Sequence, residues 1–114
     1  MHIDSYTFGS VVVDGKAYAA DLVLLPDGVR GDWWREAGHS LGVGDLQDVL
    51  AAKPEVLVVG TGAYGAMKVP QETRRALDEA GIEVVIEETG GAVERYNALS
   101  AESRRVAGAF HLTC

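Results

Sequence analysis

Val56-Leu57-Val58-Val59 sets four apolar residues in a row between Pro54-Glu55 and the glycine-rich Gly60-Thr61-Gly62. Side chains along a strand alternate between faces, so an unbroken apolar run of this length needs cover on both sides. The segment is therefore read as a central strand of a sheet with helices packed on each face. A second strand, "IEVVIEE", follows after a helical stretch. Pro70 suits the first position of that helix, where its missing N–H is no loss. Val69, Thr73, Ala76, Leu77 and Ala80 form one helical face, and Gly81 can end it in the left-handed conformation. Beyond Thr89, "GGAVERYNALS" spaces Val93, Tyr96 and Leu99 for a further helix, and "RVAGAFHLT" closes the chain as a strand.

Upstream, "TFGSVVV" and "KAYAADLVLL" flank Asp14-Gly15, a dipeptide that suits the two positive φ angles of a type I′ turn. They predict a β-hairpin ended by Pro26-Asp27-Gly28, with "VRGDWW" as a short extended segment. A helix starts near Asp45, where Leu46, Val49 and Leu50 share a face and Asp45 and Asp48 favour the positive end of the dipole. Pro54 stops it. The order is β-hairpin, β, α, β, α, β, α, β. Two β-α-β crossovers imply an α/β fold of two or three layers around a mixed, partly parallel sheet, with the hairpin as its antiparallel part.

At 114 residues this is a single domain, 1–114, with room for one core. The net charge of −7 repels a phosphate backbone, and the 10 Lys and Arg are scattered, so neither nucleic acid nor an anionic membrane is an expected partner. No apolar run is long enough to span a bilayer. "MHIDSYTFG" lacks the basic and apolar regions of a secretory signal, and the one cysteine, Cys114, permits no internal disulfide. A cytoplasmic location is expected.

Gly60, Gly62 and Gly65 spell G-x-G-x-x-G. In a dinucleotide fold the third glycine lies in the first helical turn, against the pyrophosphate. Here Gly65 stands five residues before Pro70, in a loop, and no second nucleotide-binding half follows. No cofactor is expected. Glycines do let a sharp bend leave the carboxyl end of a buried strand, and ligands of open α/β sheets bind outside such ends. Gly60, Thr61, Gly62 and Thr89, Gly90, Gly91 are therefore the candidate pocket for a small anion or a partner's carboxylate, with Asn97 within possible reach. The structural task of satisfying backbone groups in a neighbouring segment is the favoured role for Asn97.

His111 and Cys114 have H-x-x-C spacing, and His39 offers a third ligand. Strand alternation sets the first two at odds, and no second Cys or His lies close in sequence, so no metal is expected. Trp33 and Trp34 are adjacent, so in an extended segment they face opposite ways. Trp34 with His39 is the candidate recognition surface.

"YTFGSVVVDGKAY", "PEVLVVGTGAYG", "TGGAVERYNAL" and the terminal "FHLTC" together resemble the Mth-type domain family over essentially the whole chain, 6–114. Members are small uncharacterised proteins, and animal relatives include an adipogenesis-associated protein and a mitochondrial complex I assembly factor. The resemblance implies a three-layer α/β arrangement around a mixed sheet, and it favours protein binding or scaffolding over metabolism. No activity comes with it. Nothing like a mitochondrial presequence precedes the domain, so the assembly role is not carried over from it. The leading expectation is a small cytoplasmic binding or assembly protein using the strand-end loops. The alternative is an enzyme acting on a small anionic metabolite there, with His39 as general base.

Overall fold

A computed structural model describes residues 1–102 and 104–114. Among them the chain forms two sheets. Strands β1 (Ile3–Thr7), β2 (Ser10–Val13) and β3 (Lys16–Tyr18) make a small antiparallel sheet in that order. Strands β4 (Leu22–Leu25), β5 (Gly28–Arg30), β6 (Val56–Thr61), β7 (Glu83–Glu87) and β8 (Val106–His111) make the main sheet, ordered β5-β4-β8-β6-β7. Helices α1 (Gln47–Ala52), α2 (Gln71–Glu79) and α3 (Thr89–Ala101) complete the described elements, a 3₁₀ turn at Val43–Leu46 leading into α1.

The apolar run is the middle of this design. β6 pairs in parallel with β8 on one side and β7 on the other, and all six of its residues are buried. Val56 and Val58 join one core with Leu22, Leu24, Tyr96 and Phe110; Leu57 and Val59 join another with Val23, Leu25, Val49 and Leu77. Burying each such side chain contributes about 1.5–3 kcal/mol, so covering both faces of β6 dominates the packing. The layers follow: α1 and α2, then the main sheet, then α3 together with the small sheet, whose Ile3, Val11 and Val13 point into the first core. The two crossovers run in opposite directions, outward from β6 to β7 and back past β6 to β8. With a single right-handed sense they must place α2 and α3 on opposite faces, as observed.

The Asp14-Gly15 turn forms, with φ of 48° and 82° and Val13 opposite Lys16. The hairpin is nevertheless not the antiparallel part of the main sheet. "KAYAADLVLL" divides into two strands, β3 remaining with the hairpin and β4 pairing antiparallel with β8 and β5. Burial explains the division. β4 is buried at all four positions and needs cover on both faces, whereas β2 buries only Val11 and Val13. One continuous strand cannot serve both environments.

Two of the contacts that hold the outer layer involve α3. Asn97 on α3 accepts from Ile3 N at 2.9 Å through Oδ1 and donates to Ile3 O at 2.8 Å through Nδ2, so its amide acts as a neighbouring strand for β1. Gly108 gives the Tyr96 and Phe110 rings their room: they pack edge-to-face at 5.9 Å, and a Cβ on Gly108 would overlap Phe110 and come within 3.2 Å of Tyr96 Cδ2. Gly108→Ala is expected to destabilise by about 2–3 kcal/mol, because the buried rings have nowhere to move. Asn97→Ala should lower stability by about 2 kcal/mol through the two lost bonds, with faster amide exchange at Ile3. Urea unfolding measures both, and a Gly108→Ala protein as stable as the wild type would contradict this packing.

Candidate functional site

The apolar content of β6 and β8 ends at Thr61 and His111, which stand opposite each other in register. Here the two glycine bends meet. Thr89, fully buried, accepts from Gly62 N at 2.8 Å and donates to His111 O at 2.6 Å through its hydroxyl, while its own N–H donates to Gly62 O at 3.0 Å. Thr61 Oγ1 donates to Glu87 O at 3.1 Å. Gly60, Thr61, Gly62 and Thr89 therefore share one rim, with Gly90 and Gly91 in the first turn of α3 beside them. Asn97 is used at Ile3 instead.

Backbone amides at the candidate pocket are taken by the chain itself. Ala63 N donates to Thr113 O at 2.6 Å, Ala66 N to Cys114 O at 2.9 Å, and Gly65 N to Gly62 O at 3.2 Å. Gly62 has φ 107°, and a Cβ there would overlap the main chain of Cys114. The glycine pattern thus serves the close approach of three chain segments. Gly65 lies in the loop, with α2 beginning only at Gln71.

A polar cluster not foreseen from the sequence stands beside this rim. Antiparallel pairing of β4 with β8 brings Asp21, just before β4, next to His111 at the end of β8. His111 Nδ1 is 2.8 Å from Asp21 Oδ2. Arg35 Nη2 lies 3.2 Å from the same Nδ1, so this nitrogen faces both a carboxylate that accepts and a guanidinium that donates. Arg35 enters from the following loop, with Nη1 2.9 Å from Asp21 Oδ2 and with Nε and Nη2 donating to Gly38 O at 3.0 and 2.8 Å. Leu112 N donates to Asp21 Oδ1 at 2.8 Å. The three side chains are 17%, 5% and 7% exposed for Asp21, Arg35 and His111. Burial alone would raise the Asp21 carboxyl, but the Leu112 amide, His111 and Arg35 together hold it below its ordinary value. Tyr6, whose hydroxyl donates to Leu112 O at 2.8 Å, is raised by burial and by the Asp21 charge.

His111 Nε2 is buried without a hydrogen-bond partner among the described residues. The exposed His39 stands edge-on to His111, ring centroids 5.5 Å apart. His111 is turned to Asp21, and among the described residues no three His, Cys, Asp or Glu side chains gather as a metal set. Neither Asp21 nor Arg35 had a periodic signal. The one available hint was an acid at the threshold of the all-apolar "LVLL".

Arg35 also sets the tryptophans. Its guanidinium lies 4.8 Å above the Trp33 ring, while Trp33 Nε1 donates to Asp45 O at 3.0 Å. Asp32, at φ 51°, turns the chain just ahead of the pair. Trp33 packs inward and Trp34 is 87% exposed. A groove of about 370 Å³ on one flank is lined by Asp21, Asp32, both tryptophans and Arg35. One of about 360 Å³ on the other includes Arg30, Asp32, Asp45 and Asp48. Phe8 and Tyr64, both exposed, meet at 6.2 Å near the ends of β8 and β6.

Asp21→Ala should destabilise by about 3 kcal/mol, because it leaves a buried guanidinium without its carboxylate. The lowered Asp21 pKa fixes the sign of the pH effect. Its stabilisation is complete above the ordinary carboxylate value of about 4 and is lost as pH falls through the lower folded-state value. Urea midpoints measured below about pH 4 should therefore fall less steeply with acid in Asp21→Asn than in the wild type.

A family model described as "Protein of unknown function (DUF498/DUF598)" matches residues 3–111. NADH dehydrogenase (ubiquinone) 1 alpha subcomplex assembly factor 3 of Bos taurus is 33% identical over 114 residues, covering 91% of this chain and 56% of that protein. The chain spans about half the length of the curated relatives it matches. Among solved structures, a conserved hypothetical protein of Pyrococcus horikoshii is 28% identical with a TM-score of 0.81, each chain covered in full. A Bordetella pertussis protein described as a Mth938-like domain is 26% identical with a TM-score of 0.80, covering 97% of this chain and 85% of that one. The family model spans nearly the whole chain and the solved structures share its fold from end to end, so the chain belongs to the DUF498/DUF598 family and has the Mth938-like fold.

Proposed function

We propose that this chain is a protein-binding module of the assembly type, engaging its partner through the aromatic surface around Trp34. The observation that carries the reading is the contrast between neighbours: Trp33 is anchored by Arg35 and Asp45, whereas Trp34 presents its indole to solvent beside a groove. Exposing so large an apolar ring is unfavourable, and tryptophan is prominent among residues that dominate binding energy at interfaces. The buried Asp21, Arg35 and His111 cluster stiffens the loop that presents it, and His39 adds a polar edge. The assembly-factor relatives support a role with protein partners. Among the described residues no helix is long and apolar enough to cross a membrane.

A reaction at the strand-end loops has weaker support. A small anion there would have to displace Thr113 and Cys114 from the Ala63 and Ala66 amides. The imidazole oriented by a carboxylate, His111, has its outer nitrogen covered.

Trp34→Ala should leave stability within about 0.5 kcal/mol of the wild type, since the ring is exposed. Affinity capture from the native host, quantified for wild type and Trp34→Ala side by side, should show at least one protein retained by the former and depleted from the latter. An identical set of retained proteins would overturn the reading, as would turnover of a captured metabolite that Thr61→Ala abolishes.

A further inference from the structure

We propose that Trp34 and the acidic grooves on its two flanks receive a basic side chain of the partner protein, arginine in preference to lysine. This rests on the protein-binding reading and names the chemistry of what is bound.

Trp33 demonstrates the chemistry within the chain. It holds the Arg35 guanidinium 4.8 Å over its ring, with the Asp21 carboxylate 2.9 Å from the same group. A planar cation placed between an indole face and a carboxylate gains from both the ring quadrupole and the charge. Trp34 has similar surroundings turned outward. The two grooves beside it are lined by four carboxylates, Asp21, Asp32, Asp45 and Asp48, against two guanidiniums, Arg30 and Arg35, a local net of −2.

The four acids differ in how fully they are engaged. Asp21 is held by Arg35 and His111, and Asp45 accepts from Gly42 N and Glu36 N at 2.8 and 3.1 Å. Asp48 is 3.9 Å from Arg30, both well exposed, a contact that water largely screens. Asp32 lines both grooves and is in no ion pair within 4.0 Å among the described residues. An apolar side chain seated there would desolvate Asp32 without compensation, and an acidic one would be repelled. A basic one satisfies both the ring and the carboxylate. The chain's net charge of −7 draws such a partner in from a distance.

The test titrates the whole chain with a blocked octapeptide of alternating arginine and glycine, followed by the indole N–H resonances of Trp33 and Trp34. Lysine–glycine and glutamate–glycine peptides of the same length serve as comparisons. The arginine peptide should bind saturably, shift the Trp34 signal more than that of Trp33, and bind more tightly than the lysine peptide. Trp34→Ala should weaken it about fivefold and Trp34→Phe by less. Asp32→Asn should weaken it about threefold. Glu79→Gln, which removes the same charge from the exposed side of α2, should leave binding nearly unchanged. The inference is overturned if the arginine peptide fails to bind, if the lysine or the glutamate peptide binds equally, or if Trp34→Ala has no effect. It is also overturned if Glu79→Gln weakens binding as much as Asp32→Asn, because the attraction would then be that of net charge alone. Host capture separates the two readings. Trp34-dependent capture without arginine-peptide binding removes the basic side chain and keeps the protein partner; loss of Trp34 dependence in capture removes both.

Discussion

Everything in this fold is arranged around two strands that must be covered on both faces. β6 and β8 are buried along their entire length and pair with each other in parallel. Neither can stand at an edge, so β4 and β7 flank them and helices or a second sheet lie above and below. A backbone so enclosed has no place for polar side chains until it ends. Chemistry is consequently displaced to the carboxyl ends, where Thr61 and His111 are the first polar groups and where loops from four elements converge.

At that end the protein resolves its polar groups by joining them to one another. A single hydroxyl, on Thr89, links the end of β6, the start of α3 and the end of β8. Thr113 and Cys114 take the amides of the loop after β6. Asp21 gathers a guanidinium, an imidazole and a backbone amide, which is how a carboxylate remains charged with little exposure. What this network leaves outside are aromatic rings, Trp34 foremost, with Phe8 and Tyr64 also exposed.

The second sheet shows how an auxiliary layer is attached without a large core of its own. β2 buries alternate residues, β1 buries Ile3 alone and β3 none, and Asn97 supplies Ile3 with the donor and acceptor that a further strand would have provided. The sequence marked Asn97 as a polar group near an apolar helix face, for which a backbone partner or the glycine bend were both open. Geometry decided for the backbone of β1.

The sequence by itself determined the three helices, the buried strands and the need to cover both faces of the main sheet. Runs of apolar residues report whether a strand is covered on one face or two, and Asp14-Gly15, Pro54, Pro70 and Gly81 mark turns and helix ends through local φ preferences that act without tertiary help. Adjacent tryptophans must diverge in an extended segment, though not which of them turns inward. Only the tertiary structure decided that, because the choice depends on Arg35 stacking over Trp33 and on Asp45 accepting its N–H, contacts formed after the chain has folded back. It also decided that "KAYAADLVLL" serves two sheets, that the glycine bends close on Thr113 and Cys114, and that Asp21 meets His111 across ninety residues. Pairings between distant positions leave no period in a single chain, since nothing in the local sequence changes whether or not the partner arrives.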